Sequence, residues 1–280
     1  MFRKIGDGDV FVSRTAGATS GPRTAVLPDG GLVCTFMLNS KGGANDFTPM
    51  AAFSEDGVSW SSAREIWPER KGRFSDFVSV RRGGDGRLYL AGKEWDIAAP
   101  GEPFWSDAEG AMKENRLVFS VSDDGRVFPV PASVPLPYPG SAENPGGMLA
   151  EADGTLRMIY SPYPVIGAPG TADTNCMVLL TSTDGGAAFL PRKFARISGP
   201  CLYAEGWIER LSDGRLFVSA WQTAGGDPDV YLFSEDDGAT FAGPVPQPFR
   251  GQSTAVAAGP GGTVYVVYNQ IGRASCRERV

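Results

Sequence analysis

The chain has 280 residues, a net charge of −6, no histidine and four cysteines. These numbers exclude histidine-based catalytic triads, and without a CxxC pair they leave no zinc site. The acidic balance and the lack of a Lys/Arg run argue against a nucleic-acid partner, and no apolar run of 18 residues predicts a transmembrane span.

Residues 1–16 begin MFRKIGDGDVFV, which lacks the apolar core of a secretory signal, so a cytoplasmic location is the default expectation. Within them Asp9-Val-Phe-Val-Ser-Arg14 reads as a lone strand that would close a ring with a further C-terminal blade. From residue 17 onward two short patterns alternate. The first is a turn leading into an apolar strand: LPDGGLVCTFML (27–38), GDGRLYLAGKEW (84–95), ADGTLRMIYSP (152–162), SDGRLFVSAWQ (212–222) and GPGGTVYVVYN (259–269). Asp-Gly or Gly-Gly between β-branched and aromatic runs is a strong hairpin signal, because glycine accepts positive φ. The second is Ser, a spacer, Asp, Gly and then an aromatic: FSEDGVSW (53–60), VSDDGRVF (121–128), TSTDGGAAF (181–189) and FSEDDGATF (233–241). Cys34 and Cys176 read as small buried hydrophobes.

Together these patterns define one unit: strand, DG turn, strand, variable loop, strand, Ser-x-Asp turn, strand. Units begin near 17, 73, 140, 199 and 251, and the fifth stops after two strands. A four-stranded meander of this length cannot bury both of its faces alone, whereas radial stacking buries them. The predicted fold is an all-β propeller of four-stranded antiparallel blades over residues 1–270. About four and a half blades of an expected six are present. Residues 271–280, IGRASCRERV, are polar and basic, lack strand alternation and match a reading frame of a sequencing-library adapter, so they are expected to be a non-native tail after a truncation.

A meander puts both kinds of turn on one face. The start of each first strand, and the loop after each second strand, lie on the other. Eight or nine residues before each DG or GG pair stand Ser20, Asp76, Asn144, Glu205 and Gln252, a polar ring at equivalent positions. The loops after the second strands add Asn39, Asp46, Glu94, Trp95, Asp96, Tyr160, Trp221 and Gln222. Tryptophan beside carboxylates suits a sugar ring; the same tryptophans also suit packing between blades. Arg73 and Arg250 precede their blades by a few more residues and are placed to reach over the rim or to lie solvated.

The Ser-x-Asp-Gly-aromatic stretches resemble the Asp-box, or BNR, repeat of the sialidase superfamily, over nearly all of residues 17–270. The resemblance makes the boxes staples of the fold, with Ser and Asp bonding turn backbone. It implies an exo-glycosidase with a catalytic Asp in the loop of the first blade and a Glu ahead of a later one. Asp46, in Asn-Asp-Phe, and Glu205, in Tyr203-Ala-Glu-Gly, fall at those positions. Three arginines for a substrate carboxylate and a nucleophilic Tyr are also implied. Here Ser20-Gly-Pro stands where the first arginine would be, with Arg23 two residues late, and Trp221-Gln222 occupies the second. The third arginine and the Tyr are expected beyond Gln270. The candidate site is therefore Asp46 and Glu205 for acid-base chemistry, with Arg23, Asp76, Glu94, Trp95, Asn144, Tyr203, Trp221, Gln222 and Gln252 binding a glycan. No cofactor or metal is expected. The alternative is a non-catalytic propeller that binds a glycan or a protein through the same pocket.

Overall fold

A computed structural model of the chain describes residues 17–144, 146–196, 203–223 and 227–270. The lone strand expected at 9–14 and the tail expected at 271–280 lie outside them. Among the described residues twenty-one strands follow in chain order. Blade one holds β1 (Ala18–Val26), β2 (Leu32–Asn39), β3 (Thr48–Ser54) and β4 (Arg64–Glu65). Blade two holds β5 (Phe74–Arg82), β6 (Leu88–Asp96), a hairpin of β7 (Trp105–Ser106) and β8 (Ala111–Met112) in its loop, then β9 (Arg116–Ser122) and β10 (Ala132–Val134). Blade three splits its first strand into β11 (Ser141–Glu143) and β12 (Leu149–Ala150), followed by β13 (Leu156–Tyr163), β14 (Met177–Ser182) and β15 (Leu190–Phe194). Blade four is β16 (Tyr203–Arg210), β17 (Leu216–Gln222), β18 (Val230–Ser234) and β19 (Ala242–Pro246). A final pair, β20 (Gly251–Ala258) and β21 (Val264–Gln270), starts a fifth sheet. The fold is an all-β propeller arrangement with antiparallel meander blades, as the two sequence patterns require.

The hairpin turns repeat atom for atom. Gly30, Gly86, Gly154 and Gly214 sit at φ of 90, 85, 87 and 89°, a region closed to most side chains. The preceding Asp of each turn accepts a backbone N–H two residues on: Asp29 from Gly31, Asp85 from Arg87, Asp153 from Thr155 and Asp213 from Arg215, at 2.9–3.1 Å. The Ser-x-Asp turns repeat as well. In blade two Ser122 Oγ donates to Asp124 at 2.9 Å and accepts the Gly125 N–H at 2.9 Å, while Asp124 accepts the N–H groups of Arg126 and Val127. Ser54 with Asp56, Ser182 with Asp184, and Ser234 with Asp236 are built alike.

The core is divided into layers between adjacent blades, as stacking demands. Val33, Met37, Val78 and Leu90 fill the first layer, Met148, Met158, Leu117 and Val178 the second, and Leu179, Ile208, Leu216 and Val218 the third. Phe217 and Val256 join blade four to the last strand pair. Cys34 and Cys176 are buried free thiols, in β2 and just ahead of β14.

Candidate functional site

The leading end of each first strand meets the trailing end of the second. Ala18 pairs with Asn39, Phe74 with Asp96, Tyr203 with Gln222 and Gly251 with Gln270. These ends form the face opposite the DG and Ser-x-Asp turns.

Three first strands carry the same irregularity there. In β1, residues 20 to 23 span what 37 to 35 span on β2; in β16, 204 to 207 span 221 to 219; in β20, 252 to 255 span 269 to 267. Each is a bulge with one extra residue, a device that re-aims side chains at the end of a strand. Gly21 takes the bulge in β1 at φ 61°, and a Cβ there would meet the Phe77 ring at 2.8 Å. The β16 bulge is taken by Glu205 at φ 50°. A left-handed conformation costs a non-glycine residue about 1–2 kcal/mol and persists where the surroundings impose it.

The bulge regions of β1 and β16 meet through Arg23 and Trp207. Arg23 is buried, with its guanidinium 5.6 Å from the centre of the Trp207 ring and Nη1 donating to Pro22 O at 2.9 Å. Burial lowers the pKa of Arg23, and the charge of Glu205 opposes that shift. From blade two Arg81 lies 4.6 Å from the same ring, and it crosses to blade four through Ile208 O and Glu209 Oε2, each at 2.7 Å. Trp207, two residues after Glu205, is thus stacked by guanidiniums from blades one and two. Several buried polar atoms near these strand ends make no hydrogen bond among the described residues: Ser20 Oγ, Trp207 Nε1, Trp221 Nε1, Asp229 Oδ1 and Arg250 Nε. Dry polar atoms in such number are costly unless a ligand or water meets them.

Asp46 stands on the rim between blades one and two. It is half-buried, and Oδ1 accepts the Ser40 N–H at 3.2 Å. Its neighbours are fixed: Asn45 donates to Asp96 O and Glu102, the Phe47 N–H donates to Ser75 Oγ, and the Asp76 N–H donates to Phe47 O.

The other expected residues divide. Trp221 is half-buried, Gln222 donates to Asp227 at 2.9 Å, and Gln252 is half-buried at the β20 bulge. Tyr203 is buried, its carbonyl accepting the Ser161 hydroxyl. Asn144 is buried, accepting the Gly147 N–H at 3.1 Å while Nδ2 has no partner among the described residues. Asp76 and Glu94 are buried in an ion-pair network instead of facing a pocket. Arg70, from the short turn Pro68–Arg70, holds Asp76 through two bonds of 3.0 and 2.9 Å and also pairs with Glu94. Arg116 joins Glu94 to Asp96. Burial raises the pKa of Asp76 despite the opposing charge of Arg70. Trp95 is fully buried against Phe47 and Phe104, its N–H on Lys113 O at 3.0 Å, so it offers no face to a ligand. Arg73 stacks on Phe74 at 5.4 Å.

A shallow groove of about 930 Å³ lies on the turn face, lined by Asp29, Phe53, Asp56, Trp60 and Arg126. Arg126 there pairs with Asp29 at 2.8 Å and Asp56 holds the N–H groups of Val58 and Ser59. These groups satisfy one another, whereas the axial face holds several of the buried polar atoms left unpaired among the described residues. Arg70, Trp207 and Asp229 were missed by strand-position counting, because a turn ahead of β5, a residue past the bulge and a residue ahead of a third strand fall outside it.

No protein-family model matches the sequence, and no curated protein is significantly similar to it. Solved structures share the fold. A protein of unknown function from Dyadobacter fermentans superposes with a TM-score of 0.75 at 18% identity, covering 92% of this chain and 77% of that one. The Hadza microbial sialidase Hz136 superposes with a TM-score of 0.62 at 16% identity, over 86% of this chain and 50% of the sialidase. A thermostable family-43 glycoside hydrolase superposes with a TM-score of 0.55 at 13% identity, over 92% and 86%. The chain thus spans half the length of that sialidase, and its structural neighbours include two kinds of glycosidase.

Proposed function

We propose that the protein is a sialidase-like glycoside hydrolase, with its Ser-x-Asp turns as Asp-box staples and its site on the axial face. Glycoside cleavage needs one carboxyl to deliver a proton and another that stays ionised. Asp46, on the rim beside β5, takes the first role. Glu205 takes the second, acting as base or assisting a nucleophile. The observation that carries this reading is Glu205 itself: a strained, left-handed residue in a bulge, set beside a buried guanidinium. Strain of that kind concentrates at functional sites.

The bulge between Ser20 and Arg23 also bears on substrate class. Arg23, at the end of that bulge, lies within reach of the Glu205 charge although it stands late in the sequence, which supports a first anion-binding arginine. Arg250 supplies a second cation near the start of β20. A sugar bearing an acid group is the substrate these two favour. Trp221, at the position where a further arginine would stand, favours a second reading: a propeller that binds glycans without cleaving them, stacking a ring on the indole.

A panel of aryl glycosides that includes a sialoside separates the two. The hydrolase reading expects release that Asp46→Ala reduces at least about a hundredfold. Glycan binding with no product from a folded protein contradicts hydrolysis and supports the second reading.

A further inference from the structure

Asp229 stands one residue ahead of β18 and is fully buried. Its backbone is fixed on both sides: the N–H donates to Phe249 O at 3.1 Å, and the carbonyl accepts the Gln247 N–H at 2.7 Å. Oδ2 accepts the N–H of Gly251, the first residue of β20, at 3.1 Å. Oδ1 has no hydrogen-bond partner among the described residues. An ionised carboxylate out of water calls for donors on both oxygens, and this one has a single backbone N–H.

The charged groups that face it come from two elements. Glu205 of β16 disfavours its ionisation, and Arg250, just ahead of β20, favours it. Gln247 beside it is neutral and gives its amide to Ser219 Oγ and Val230 O, each at 2.9 Å. Asp227, two residues earlier, is held by Gln222. Burial dominates the balance and, with Glu205, pushes the Asp229 carboxyl up to about 7.

We propose that Asp229 is a positioning residue of the axial site: a buried carboxyl that ties the start of β20 to blade four and holds its proton longer than Glu205, so that Glu205 ionises first. A second negative charge beside Glu205 would favour protonation of the group that must act as base. The protonated form of Asp229 avoids this and leaves the charge of Arg250 for a ligand. That last step rests on the glycosidase reading; the protonation state does not.

The test is a carboxyl-carbon NMR titration of the full chain labelled at its aspartates. One resonance is expected to titrate near pH 7, to vanish in Asp229→Asn, and to move to a lower midpoint in Glu205→Gln. Among the described residues buried Asp76 is the other aspartate displaced upward, so the Asn variant makes the assignment. If Asp229→Asn does not fold, the Glu205→Gln shift alone identifies the pair. Midpoints below about 5 for every aspartate, in the ordinary carboxylate range, would overturn the proposal. So would a resonance near pH 7 whose midpoint Glu205→Gln leaves unchanged. Because no substrate is used, a silent glycosidase panel with the titration intact removes the hydrolase reading and leaves Asp229 in place.

Discussion

Blades two and four place a carboxylate at the same point of the repeat, and the two differ in every physical respect. In blade two, β5 pairs with β6 without interruption from Phe74↔Asp96 to Arg82↔Leu88, and Asp76 is buried under the Arg70 guanidinium with Glu94 and Arg116 around it. In blade four the strand is bulged, and Glu205 is held at φ 50° next to the axial arginine. One carboxylate closes a network that holds a blade edge together. The other is strained, on a face that holds buried polar atoms without partners among the described residues. A repeat position thus fixes where a side chain begins, while the bulge and the long-range partners fix what it is free to do.

The largest expected effect lies in blade two. Removing Arg70 leaves two buried carboxylates short of their counter-charge, so Arg70→Met is expected to cost about 3–5 kcal/mol in denaturant unfolding. A loss under about 1 kcal/mol would mean that the network is not structural and would erase the contrast.

A smaller effect sharpens the blade-four side. Glycine is ordinarily the worse residue in a strand, by roughly 0.5–1 kcal/mol relative to alanine. At position 205 the order is expected to reverse: Glu205→Gly should be more stable than Glu205→Ala by about 1 kcal/mol, because only glycine adopts left-handed φ without cost. The ordinary order would show that the bulge relaxes once the carboxylate is gone.

A further effect is in pH dependence. Backbone N–H groups hold Asp56 down to about 2, and Thr240 holds Asp236 down to about 2. Their folded-state values are depressed, so their contribution is present above about pH 4 and is lost as pH falls toward 2. Asp229 is displaced the other way. Its contribution is present below about pH 4 and is lost as pH rises through 7. Melting temperature between pH 4 and 7 is therefore expected to fall less in Asp229→Asn than in the parent chain. Parallel curves would contradict the assignment.

How much of this was legible in the sequence follows from what is local. Asp-Gly hairpins and Ser-x-Asp turns act over three or four residues, so the strings around Gly30, Gly86, Gly154 and Gly214 specified strands, turns and blade order directly. Equivalent positions placed Glu205 in a polar ring and Asp46 in a loop on the same face, and the family resemblance singled out those two. What stayed hidden was long-range or irregular. Arg70 reaches Asp76 from a separate turn, and no spacing rule announces it. Trp95 has the residue type that stacks on sugars, but the Phe47 and Phe104 rings and Lys113 O enclose it. The bulges had one visible sign, Gly21 in a strand. Asp229 had another, since it precedes the third strand of blade four much as Asp46 precedes the third strand of blade one.

The most direct measurement sets Glu205→Gln beside Asp76→Asn, with unfolding free energy and glycoside turnover read on the same preparations. The expected result is that Glu205→Gln abolishes turnover with a stability change under about 1 kcal/mol, whereas Asp76→Asn loses about 1–3 kcal/mol and keeps turnover while folded. Equal turnover in Glu205→Gln and the parent chain would contradict the account, because the strained carboxylate of blade four would then have no part in the chemistry.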